Sequence, residues 1–108
     1  MALPHAASGQ PVALLRAGED RTQFSSIALA KTAQLELIRL VLPKGKTMPE
    51  HKVAGDITLH CLEGELVLEA EGIGRTLRGG EVLYLAGGVP HAVRAQQDSL
   101  ALLTIVLA

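Results

Sequence analysis

Aromatic side chains are nearly missing from this chain of 108 residues: Phe24 and Tyr84 stand alone, and Trp is absent. A site that stacks a nucleobase, a flavin or a sugar face needs more rings than that, so such ligands lose weight. Cysteine is equally scarce. Cys61 is the only one, which excludes an intrachain disulfide. With no cationic stretch leading into a long apolar segment near the start, it points to a reducing, cytoplasmic setting. No cluster of basic residues appears either. Ten Lys and Arg against eleven Asp and Glu leave a formal charge of −1, whereas a nucleic-acid binder concentrates positive charge on one face. The longest nearly apolar run, 100–108, falls far short of the ~20 residues that span a bilayer and reads as a buried strand. Nucleophile and phosphate-loop signatures are absent as well. No Gly-x-Ser-x-Gly occurs, Cys61 sits inside an apolar run as a small buried hydrophobe, and no helix-forming segment follows Gly72-Ile73-Gly74.

What the chain does have is aliphatic residues: 48% of it is hydrophobic. At this length, about 65% of the unfolded chain's surface is buried on folding, enough for one core without staples. From Gly64 onward, Gly72, Gly74, Gly79-Gly80, Gly87-Gly88 and the polar cluster 96–99 break the sequence into pieces too short for ordinary helices. Between Glu65 and Glu71, Leu66, Leu68 and Ala70 fall on one face and Glu65, Glu69 and Glu71 on the other, the period-two pattern of a half-buried strand. Gly72-Ile73-Gly74 is expected to turn the chain into a hairpin partner, residues 75–78. Strands are expected again at 82–85, 91–95 and 100–107. Short strands at such spacing predict an all-β fold.

The first half is less plain. Residues 25–30 and 34–42 are apolar runs, and Leu35, Ile38 and Leu42 also share one face of a helix over 32–42. Strand is preferred there because Pro43-Lys44-Gly45 ends the run abruptly. Residues 1–10 read as a flexible arm, and 11–108 as a single barrel domain.

Imidazole chemistry can come only from His5, His51, His60 and His91. Around two of them the segment 45–95 resembles the cupin superfamily, whose first motif runs Gly, five residues, His-x-His, three or four residues, Glu, six residues, Gly. Gly45, His51 and Gly64 stand in step, with Val53 in place of the second His and Ile57 in place of the Glu. In the second motif Gly80, Gly88 and His91 keep their places, while Ala86 replaces a Pro and Ala95 an Asn. The resemblance implies a double-stranded β-helix, or jelly-roll barrel, that often pairs as a homodimer. It also implies a cavity toward which His51 and His91 converge. Members that bind Fe, Mn, Ni or Zn use both His and the Glu of the first motif with the His of the second. Here His51 and His91 are the two remaining candidate metal ligands, and two neutral imidazoles hold a divalent ion poorly.

Strand parity turns Asp56 away from the vacated Glu position unless a bulge intervenes, and it turns His60 outward. His5 reads as a solvated residue of the arm, and Glu50 and Lys52 as outward charges. The expected site is therefore an aliphatic pocket with His51, His91, Thr47 and Thr58 as its polar anchors, taking a small-molecule ligand. A sensing or binding role with little or no catalysis follows. The alternative is a metal-dependent dioxygenase or isomerase that uses His51, His91 and a third ligand the sequence does not place. A scaffold role by dimerisation alone would require a barrel interior filled by side chains.

Overall fold

The computed structural model describes residues 5–107. Nine strands follow one another: β1 (Ser25–Lys31), β2 (Leu35–Leu42), β3 (Thr47–His51), β4 (Ile57–Glu63), β5 (Glu65–Ala70), β6 (Ile73–Arg78), β7 (Glu81–Leu85), β8 (His91–Ala95) and β9 (Ser99–Val106). They form a five-stranded sheet in the order β1-β2-β9-β4-β7 and a four-stranded sheet in the order β3-β8-β5-β6. Every pairing is antiparallel. Among the described residues no helix is long and apolar enough to cross a membrane.

The two sheets face each other across an aliphatic core. Alternate positions supply it: Leu40 and Leu42 from β2, Leu59 and Cys61 from β4, Leu66, Leu68 and Ala70 from β5, Val93 and Ala95 from β8. Burial of such side chains, about 1.5–3 kcal/mol for each large one, is the main favourable term. The ambiguous run after residue 32 is strand β2. Its neighbours decide this, because it pairs with β9 along its whole length and with β1 over residues 36–41.

Two expectations need correction. The hairpin after β5 turns at Glu71-Gly72, not at Gly72-Ile73-Gly74. Ile73 and Gly74 already pair with Ala70 and Glu69, and both turn residues have positive φ, 54° and 77°. That is the geometry whose twist matches a two-residue hairpin. Between Gly45 and His51, where no strand was expected, lies β3. Pro49 hides it, and the proline is tolerated because β3 lies at the edge of its sheet.

Residues 1–4 of the expected arm, and Ala108, lie outside the described residues. Of the arm's remainder, Ala6 N–H bonds to Leu29 O at 2.7 Å. The chain then crosses the outer face of the five-stranded sheet, pinned by a charge that the sequence reading missed. Arg39 points outward from β2 yet is only 1% exposed. Its Nη1 and Nη2 donate to the two carboxylate oxygens of Glu19 at 2.8 and 2.5 Å, and its Nε donates to Leu14 O at 2.9 Å. The guanidinium is thus satisfied along its fork, as burial of a charge requires. Arg21 also bonds to Glu63, tying the segment to β4.

The hydrogen bond from Arg39 holds the Glu19 carboxyl below its ordinary value of 4.5. Its burial opposes that shift, and the positive charges of Arg39, Arg16 and Arg21 reinforce it. A depressed folded-state value means stabilisation that is present above 4.5 and lost as pH falls through the folded value. Urea unfolding followed against pH should show that acid limb, and Glu19→Gln should flatten it. Arg39→Ala should cost about 3 kcal/mol, because it strips Glu19 of its main partner, while Arg39→Met with Glu19→Leu should recover most of the loss.

Candidate functional site

Both histidines of the motif stand at one end of the barrel, and a bulge brings them together. β3 pairs with β8 as Thr47 with Arg94 and Met48 with Val93, and then as His51 with His91. Three steps on β3 answer two on β8, so one extra residue is inserted between Met48 and His51. Without it Glu50 would follow Met48 onto the inner face and His51 would point out. With it, His51 lies on the inner side opposite His91, and Glu50 faces an outer groove beside Glu69 and Glu71. The two rings end 4.5 Å apart between centroids and tilted by 55°. His91 is buried at 4% exposure, and His51 is exposed at the rim.

Each ring is oriented by the carbonyl two residues before it. His51 Nδ1 lies 3.1 Å from Pro49 O, and His91 Nδ1 lies 2.9 Å from Val89 O. A carbonyl oxygen only accepts, so in the neutral ring Nδ1 carries the proton and Nε2 keeps its lone pair. That tautomer leaves an Nε2 lone pair on each ring.

Behind the rings the barrel is nearly full. His51, His91 and Met48 border a cavity of about 20 Å³, closed by aliphatic side chains including Ile57, Leu59, Leu68 and Leu103. That is room for about one water-sized group. The roomy aliphatic pocket expected from the sequence is therefore not there, and the interior has no space for the body of an organic ligand.

The loops that carry the rings are locked to each other. Gly88 N–H donates to Val53 O at 2.7 Å, and Gly87 N–H donates to the Asp56 carboxylate at 2.9 Å. A Cβ on Gly87 would sit 2.2 Å from Ala54 O, so only glycine permits this approach.

Of the residues expected at the site, only His51 and His91 come together. Thr58 lies on the outer face of the five-stranded sheet, between Tyr84 and Thr104, and Thr47 is exposed opposite Arg94. His60 is half-buried on the same outer face as Thr58, between Val82 and Leu102, and His5 is exposed. Cys61 is fully buried in the core, where burial pushes its thiol up and the charges of Glu81 and Glu65 push it further. It is no nucleophile there. Met48 was missed because a single methionine in an apolar context carries no motif.

The divalent ions of the family do not fit this set. Val53 and Ile57 carry no donor atom, and Asp56 is engaged by Gly87. Among the described residues no three His, Cys, Asp or Glu side chains gather as a metal site. The cavity wall also offers no anion to balance a double charge.

Residues 38–107 match the family model described as Cupin domain. The chain belongs to the cupin family. No curated protein matches it. Among solved structures it is similar to a conserved Streptococcus pyogenes protein of unknown function, with 20% identity, a TM-score of 0.81, and 100% of this chain and 98% of the other covered. A cupin from Methanocaldococcus jannaschii with a double-stranded β-helix fold is similar over 91% of both chains, at 19% identity and TM-score 0.76. The DMSP lyase DddQ of Ruegeria pomeroyi is similar over 77% of this chain and 46% of that one, at 23% identity and TM-score 0.68. At these identities the likeness establishes the double-stranded β-helix and carries no activity across.

Gly87→Ala should force the two mouth loops apart. The expected result is a lower melting temperature together with altered NMR shifts of the His51 and His91 rings, which Gly80→Ala, in open space though at positive φ, should not reproduce at the rings.

Proposed function

We propose that this cupin is a small-molecule-binding protein, with a sensing or binding role and little or no catalysis, whose ligand is gripped at the barrel mouth by His51 and His91. The observation that carries this is the pair of Nε2 lone pairs left over when each Nδ1–H is bonded to its own loop. Both are acceptors. A ligand group that satisfies them donates a proton, as an alcohol, a carboxylic acid or an ammonium does, while a ketone or an ether has nothing to give. The small inner cavity limits insertion to that one group, and the rest of the ligand stays outside the rim.

A metal-dependent enzyme, the kind of reading that the likeness to a lyase invites, has less support. It would need a third hard ligand where Val53 and Ile57 stand.

Amide and imidazole NMR titrations with small alcohols and alkylammonium ions, against ketones and ethers of the same size, test the reading. The donors should shift the signals of His51, His91, Val53 and Gly88 saturably, and His51→Leu should abolish the response. Equal response to donor-free probes, or binding indifferent to His51→Leu, would overturn it.

The homodimer belongs to the same proposal. β7 ends the five-stranded sheet, and its outward Val82 and Tyr84 are 63% and 64% exposed. They form an apolar edge that a second copy would cover. Light scattering should give twice the chain mass, falling to one chain mass in Val82→Lys with Tyr84→Glu; a monomeric parent would refute this part.

A further inference from the structure

We propose that the groove between the N-terminal segment and the outer face of the five-stranded sheet binds a carboxylate that carries a short aliphatic chain. This is a second site, outside the barrel. Leu37 of β2 and Leu102 of β9 lie on the outer face, since Leu102 stands beside the outward Arg39 and Leu37 is two positions before it. Both are half-buried, and with Leu29 of β1 they form the sheet side of the groove. Ala6, Val12 and Leu14 line it from the segment. The space between is about 460 Å³, within the ~300–1,000 Å³ usual for small-molecule sites. Its far wall is held in place, because Leu14 and Glu19 are both bonded to the buried Arg39.

Two polar side chains along the groove are already engaged in their own turns. Thr32 Oγ1 accepts from the N–H groups of Gln34 and Leu35, both at 3.1 Å, and Gln10 Oε1 accepts from Ala7 N–H at 3.0 Å. The surface they leave to a ligand is aliphatic, which an alkyl chain matches. A smaller hollow of about 290 Å³ adjoins the first, and Ala6, Gln10, Val12 and Leu29 border both. The half-buried Arg16 borders this second hollow. Glu19 gives both its oxygens to Arg39, and Arg21 bonds to Glu63. Among the described residues Arg16 makes no ion pair. Aliphatic length with one unmatched guanidinium beside it selects the occupant by charge. A carboxylate can take two parallel N–H bonds from that fork, whereas an alkylammonium meets a like charge there.

Methyl and amide NMR titrations of the full chain with hexanoate, heptanoate and octanoate, each below its micelle concentration, test the assignment. The signals of Leu29, Leu37 and Leu102 should shift saturably, and affinity should rise about fourfold with each added methylene as more chain leaves water. Octylammonium, equal in length and opposite in charge, should bind at least about tenfold more weakly than octanoate. Arg16→Gln leaves the core untouched and should keep the fold. It removes a hydrogen bond to a charged group and should weaken octanoate about tenfold without weakening octylammonium. At neutral pH octanoate is ionised and has no proton to give to Nε2, so the rings of His51 and His91 should not respond. No saturable shift at the three leucines, a response at the two rings in its place, equal affinity for octylammonium, or octanoate affinity unchanged in Arg16→Gln would each overturn the proposal.

Discussion

One inserted residue in β3 governs what this barrel can do. Side chains of a regular strand alternate between faces, so Met48 and His51, three positions apart, belong on opposite sides of the sheet. The bulge cancels that parity and sets His51 across from His91. Pro49 lies inside the bulge, at an edge strand where its missing N–H costs nothing, and its carbonyl then orients the His51 ring. The irregular backbone and the ligand geometry are one feature. A regular β3 would present Glu50 to the cavity and leave His91 buried with no partner ring.

The rest of the molecule keeps that feature in place. The loop pairs Val53 with Gly88 and Asp56 with Gly87 fix the two strands' approach to the rim. At the opposite end Ser99 Oγ accepts from Glu65 N–H at 3.0 Å and donates to Gln97 O at 2.8 Å, joining the start of β9 to the start of β5. Outside, the Arg39–Glu19 pair holds the N-terminal segment against β2. Between these fixed points the core is aliphatic and nearly full. The family's usual anionic ligand position, Ile57, is part of that packing, 4% exposed. A hydrophobe thus stands where the family's carboxylate would, and the two imidazoles at the mouth have no anion beside them.

Much of the fold was legible in the sequence, because alternation and glycine spacing are local signals. Leu66, Leu68 and Ala70 alternate visibly, and Gly64 and Gly80 punctuate the strands where motif spacing requires. Strand β2 was ambiguous for a physical reason: its outward positions Leu35, Leu37 and Val41 are apolar too, with Leu35 and Leu37 half-buried and Val41 buried, so period two is blurred. Strand β3 escaped because Pro49 and the bulge both break the pattern by which strands are read. At the site, His51 and His91 were legible from motif position. Thr47 and Thr58 were placed by proximity in sequence, which strand alternation overrides: both fall on outward faces. Arg39, Glu19 and Met48 left no signal, since their roles depend on contacts between residues distant in the chain or on a local change of parity.

The claim on which everything functional depends is that both rings leave Nε2 as a free lone pair. Long-range nitrogen–proton correlation spectra of the imidazoles of the untreated protein, at a pH where the rings are neutral, measure this directly. Both His51 and His91 should show the Nδ1–H tautomer with an unprotonated Nε2. Nε2–H in either ring would contradict the site, because one of the two acceptors would then be a donor.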